Sequence, residues 1–176
     1  MKKILVVLVS IMSFSSYAQL SDAQLNRLKF QVDSAGSFLH EKLLQEGKSI
    51  LSATFTIDTF KVESMKTAKM RMDTSKAEQV IAINDAEIDY DYLLTMYYKI
   101  LLGRHDEESQ KSLILAQKKW LKYRDDEIAM TEKFYAEQVG GNPDDKAVAK
   151  AAEHLELTKK RVVELYKHIL ASPAKQ

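Results

Sequence analysis

Gln117, Trp120 and Arg124 stand at i, i+3 and i+7, so on a helix they share one face. Trp120 is the only tryptophan in the chain, and an arginine one turn away can stack its planar head on the ring. An acid from a neighbouring helix would complete a semi-buried ion pair. Two roles fit these residue types. One is a structural clasp that locks two long helices together. The other is an aromatic-plus-arginine hot spot for a partner protein.

Other candidate chemistry is thinner. Asp85, Glu87, Asp89 and Asp91 lie close together in sequence, and paired carboxylates can do acid–base work on a sugar. That work needs a cleft and shifted pKa values, and on a bundle helix such acids more often form the wet face. The four histidines, His40, His105, His154 and His168, lie in different segments and form no i, i+4 pair. With no cysteine at all, thiolate catalysis and thiolate metal sites are excluded. Glycine-rich phosphate loops, nucleophile elbows and Ser/His/Asp sets are also missing. The expectation is a protein that is not an enzyme, with no metal and no cofactor.

The elements that must position these residues read as helices. Residues 1–18 are set apart first: Met1-Lys2-Lys3, an apolar run from Ile4 to Met12, and small residues Ser16 and Ala18 before Gln19. Those are the three parts of a secretory signal, with cleavage expected between Ala18 and Gln19. The run is about half the length that a bilayer span needs. Removing Lys2 and Lys3 leaves 24 basic against 25 acidic residues, a net charge of −1. Near-neutral charge argues against a nucleic-acid partner. Residues 19–176 are expected to form a single helical domain in the periplasm or outside the cell, with no membrane insertion after cleavage. Exported without disulfides, it must be stabilised by packing.

Within that domain, Ser21 caps a helix that Gly47 stops, with Leu25, Leu28, Val32, Ala35, Leu39 and Leu43 on one stripe. Thr54–Asp58 alternates like a strand, whereas Met65, Ala68 and Met72 return to helical spacing. The spacing predicts a helix over 57–72, with an extended entry as the rival. Ser75-Lys76-Ala77-Glu78 has the form of a capping box. It opens a helix with Ala86, Tyr90, Leu94, Tyr97 and Leu101 on one face, ending at Gly103. The next helix runs from about Asp106 to Val139. Leu113, Trp120 and Phe134 form one apolar row, and Ile114, Leu121, Ile128 and Tyr135 form a second, so a broad buried face is expected. After Gly140-Gly141, Asn142 caps and Pro143 starts the last helix, which is expected to bury Val148, Ala152, Leu155, Val162, Leu165 and Ile169 and to fray at Ser172-Pro173. The sum is an all-α antiparallel bundle of four to five helices with two long C-terminal helices.

The run Ala116-Gln117-x-x-Trp120-Leu121-x-Tyr123-Arg124-Asp125-x-Glu127 resembles the signature of the lysozyme inhibitor LprI-like family. Upstream, Ala86 to Leu101 resembles the family's helix before the tryptophan. Downstream, Leu157-Thr158-x-x-Arg161-x-x-Glu164-Leu165 resembles its closing run. Coverage is about residues 76–170. Many members carry a cysteine after the Arg-Asp-x-Glu run and another near the last helix. Here Ile128 takes the first position, and Ala151, Ala152 and His154 occupy the later region, which marks a divergent branch. The resemblance implies a small exported helical protein that binds a protein partner, with lysozyme as the first candidate. Gln117, Trp120, Tyr123, Arg124, Asp125, Thr158 and Arg161 are then family-motif residues, structural or partner-binding. Basic lysozymes are met by acidic surfaces, so Asn142, Asp144 and Asp145 are the candidate inhibitory loop. The alternative is an envelope interaction module with a non-lysozyme partner, which predicts an exposed apolar patch within Thr54–Met72.

Overall fold

A computed structural model describes residues 20–172; the expected signal segment and its cleavage point lie outside the described residues. Five helices follow in order: α1 (Asp22–Gln45), α2 (Ile50–Met72), α3 (Lys76–Gly103), α4 (Glu107–Glu137) and α5 (Pro143–Ala171). Each starts where a short polar side chain accepts a backbone N–H. The caps are Ser21, Ser49, Ser75, Asp106 and Asn142, bonded to the amides of Gln24, Ser52, Glu78, Ser109 and Asp144. Each such cap is worth about 1 kcal/mol. The reciprocal half of a capping box forms at Ser21 and Gln24. Glu78, expected to play that part for α3, is buried instead.

The helices lie in the spatial order α1, α2, α3, α5, α4. The fold is an all-α bundle, and α3 and α5 form its centre. Ala86, Tyr90, Leu94, Tyr97 and Leu101 of α3 pack against Leu155, Val162, Leu165 and Ile169 of α5 in one apolar cluster. Val148 and Ala152, expected to be buried, are only partly covered, and Ala151 and Thr158 take the inner positions.

Helix α2 starts at Ile50, seven residues before the expected start, and the strand-like alternation of Thr54–Asp58 is helical. Packing on two sides explains the misleading pattern. Ile57 turns toward Gly36 of α1. Phe55 turns the other way and stacks on Tyr166 of α5 at 3.7 Å, edge-on to Tyr97 of α3. The hydroxyls of Thr56 and Thr59 donate to carbonyls one turn back, so these β-branched residues sit in the helix with their polar groups satisfied.

Two further expectations are corrected. On α1, Ala35 faces solvent and Gly36 is the buried contact; a Cβ there would lie 3.0 Å from Lys61 Cε. On α4 the broad buried face is not realised. Only Gln117 and Thr131 are fully buried, while Ile114 and Phe134 are exposed. This helix closes the array and leans mainly on α5, so several of its large apolar side chains, Leu115 and Met130 among them, also meet water.

Candidate functional site

Gln117 and Trp120 project from α4 toward α5, and Arg161 of α5 reaches back. Its Nη2 and Nε donate to Gln117 Oε1 at 3.0 and 3.2 Å, and its Nη1 donates to Glu164 Oε2 at 3.1 Å. The Arg161 guanidinium lies 5.5 Å from the Trp120 ring centre. Arg124, one turn along α4, lies at the same distance from that ring. Its Nη1 donates to Asp91 Oδ1 of α3 at 2.8 Å. One indole is therefore flanked by two arginines, and the two arginines reach α3, α4 and α5. An interaction of this kind is worth about 0.5–2 kcal/mol per arginine, more as water is excluded.

Thr158 lies fully buried on the inner side of α5. Its Oγ1, Gln117 Nε2 and Arg124 Nε have no hydrogen-bond partner among the described residues. Tyr123 and Asp125 point outward. Tyr123 is half exposed, and the Asp125 carboxylate sits 3.6 Å from Arg124 Nε at the rim. Of the seven motif residues, four thus meet at the α3–α4–α5 junction, Thr158 is buried one turn before Arg161, and two face solvent. Beside the junction an open groove of about 370 Å³ runs between Leu101, Leu113, Leu165 and Arg161. Its lining holds one Ser–His contact, Ser172 Oγ at 3.0 Å from His105 Nε2, and that hydroxyl also donates to the His168 carbonyl at 2.8 Å.

The Gly140–Asp145 turn is a separate place in the fold. Gly140 and Gly141 take φ values of 83° and 82°, a conformation that L side chains rarely adopt. Asn142 Oδ1 accepts from the Asp144 amide at 2.9 Å, and both acids occupy the first turn of α5, where the helix dipole favours them. Asp145 also forms a 2.9 Å ion pair with Lys76 at the start of α3. The acidic character is therefore partly neutralised, and Asp144, also exposed, has no ion pair among the described residues.

The acid run of α3 divides: Asp85 and Asp89 line one open groove of about 240 Å³ together with Lys29, Lys66 and Lys69, and Asp91 turns to another side. Asp85 pairs with Lys69 of α2, and Asp91 pairs with Arg124. Burial raises the Asp89 carboxyl above its ordinary range. A denser network, which the sequence did not single out, centres on Glu63 of α2. Lys159 and Lys66 each approach it at 2.6 Å, and the Tyr90 hydroxyl donates to it at 2.9 Å. Burial pushes the Glu63 carboxyl up, yet bonds from Lys159, Lys66 and Tyr90 outweigh burial and hold it at about 2. Tyr97 likewise donates to Asp58 at 2.7 Å. Burial and that carboxylate push the Tyr97 hydroxyl far above its ordinary range. Only the outward polar end of Tyr90 and Tyr97, on an otherwise apolar face, could have signalled such partners.

The apolar patch expected within Thr54–Met72 is not there. Met72 is the one large apolar residue of that segment that is exposed, whereas Phe30 and Phe38 of α1 stand out to solvent. Among the described residues, no group of three or more His, Asp or Glu side chains could hold a metal ion, and no helix is long and apolar enough to cross a membrane. A protein-family model described as lysozyme inhibitor LprI matches residues 67–165, more than half of the chain. The match spans the last turns of α2, all of α3 and α4, and most of α5. No curated protein and no solved structure matches the chain.

Proposed function

The chain belongs to the lysozyme inhibitor LprI family, and from that premise we propose that it is an exported binding protein, not an enzyme, that inhibits a lysozyme in the periplasm or outside the cell. The observation that carries this reading is the family match over the three helices that build the Trp120 junction. The Arg161–Gln117 and Arg124–Asp91 bonds run between helices and Thr158 is fully buried, which favours a structural role for Gln117, Trp120, Arg124, Thr158 and Arg161. Recognition then falls to surface features of residues 19–176, acting as one domain.

The turn at Gly140–Asp145 suits that task. It projects at the end of two long helices and carries Asp144 in the open. With a mature net charge of −1, long-range steering toward a basic lysozyme is weak, so affinity must come from such a local contact. Immobilised mature chain should bind lysozyme, and binding should weaken with salt and with Asp144→Ala. Asp145→Ala should act less on binding, because Asp145 already faces Lys76. Binding that ignores both salt and Asp144 would remove the turn from the reading.

A second reading, an envelope module with a non-lysozyme partner, draws on Phe30 and Phe38, which are exposed on a helix outside the family match. Its mark would be loss of partner capture on Phe30→Ser/Phe38→Ser with lysozyme inhibition unchanged.

A further inference from the structure

One flank of α4, beside the junction, carries a self-complementary pattern. Ser112, Ala116, Lys119, Tyr123, Glu127, Met130 and Phe134 follow one another at spacings of three and four. At 3.6 residues per turn they fall within about 80° of the helix surface and run about 33 Å along it. Six of the seven are exposed and Glu127 is partly so. Tyr123, Met130 and Phe134 are at least half exposed, an unusual cost for a helix already packed on its other side.

The pattern is symmetric about Tyr123. Reversed end for end, it sets Tyr123 against itself, Ala116 against Met130, Ser112 against Phe134, and Lys119 against Glu127. Each apolar position then meets a small or apolar one, and the single cation meets the single anion, twice by symmetry. Lys122 and Asp126 on the neighbouring flank pair within the chain at 2.9 Å. Lys119 and Glu127 have no ion-pair partner among the described residues. A two-fold interface requires a surface that complements its own reversed copy, and three-and-four spacing is that of a coiled-coil seam.

We propose that a second copy of this chain docks antiparallel on this flank of α4, centred on Tyr123, with reciprocal Lys119–Glu127 ion pairs. The partly buried Trp120 junction borders the seam. The proposal stands apart from the choice of lysozyme as partner, because it rests on the stripe alone.

Sedimentation equilibrium of the mature chain over roughly 1 µM to 1 mM tests it. The wild type is expected to form dimers. Lys119→Glu, an exposed change with helix content checked by circular dichroism, should raise the dimer dissociation constant by roughly tenfold or more, because like charges then face each other. The exchange Lys119→Glu/Glu127→Lys should restore dimerisation. Tyr123→Cys should cross-link one copy to another under mild oxidation, and Lys118→Cys, on the opposite side, should not. A wild type that stays monomeric throughout overturns the proposal, also if stripe variants then lose binding to lysozyme. So does a charge exchange that restores nothing, or equal cross-linking by both cysteine variants.

Discussion

At the scale of single residues, Trp120 and Arg161 join α4 to α5, and Arg124 beside them reaches Asp91 of α3. Trp120 is only partly buried, so Trp120→Ala should cost about 2 kcal/mol, below the ~3–5 kcal/mol of a fully enclosed tryptophan. Arg161→Lys keeps the charge but loses the forked bond to Gln117 and the stacking plane. It should cost about 1 kcal/mol or more, as urea unfolding would register. An unchanged midpoint for both variants would contradict the structural role. Glu63 makes a pH prediction. Its carboxyl sits at about 2 in the folded chain against an ordinary 4.5. Folding therefore keeps this carboxylate ionised, and its stabilisation is complete above pH 4.5 and is lost as the pH falls toward 2. Burial raises Glu78 and Asp89, and these two act in the opposite sense. Glu63→Gln should flatten the fall of melting temperature across that window; an unaltered slope would assign acid sensitivity to other groups.

At the scale of helices, capping and periodicity made four of the five elements readable almost to the residue. Ser21, Ser75 and Asn142 each mark a start that the backbone needs for physical reasons. The beginning of α2 was not readable, because period-two alternation arises both in a strand and in a helix covered on two sides. Phe55 and Ile57 face different neighbours, and only the fold reveals that both sides are occupied. The exposure of α4 was also hidden, since an apolar row looks the same whether it meets a neighbour or water. Gly36 gives the prediction at this scale. Here α1 comes closest to α2, and the nearest atom is the far end of the Lys61 side chain. Gly36→Ala should be tolerated, with a helix-propensity gain of up to about 1 kcal/mol. Gly36→Leu should push the helices apart and cost about 1–3 kcal/mol. If both substitutions leave unfolding unchanged, the close approach of α1 and α2 is wrong.

At the scale of the whole molecule, the family match and the packing divide the chain in much the same place. The matched residues hold the Trp120 junction and the α3–α5 core, and α1 with most of α2 is added on one side. That addition is not decorative, because Phe55, Asp58 and Glu63 of α2 satisfy Tyr166, Tyr97, Tyr90 and Lys159 in the core. The Gln/Trp/Arg run was legible as a family mark because tryptophan and arginine at such spacing are rare. The proposed partner surface was not, since recognition depends on which charges the fold leaves unpaired: Lys76 neutralises Asp145 from a helix more than sixty positions away in sequence. The most direct test of the central claim is peptidoglycan turnover by lysozymes of several types, with residues 19–176 titrated in. The expected result is dose-dependent loss of turnover for at least one type, relieved by Asp144→Ala. Full turnover for every type, with a sample whose helix content and cooperative melting show it folded, would contradict the inhibitor reading.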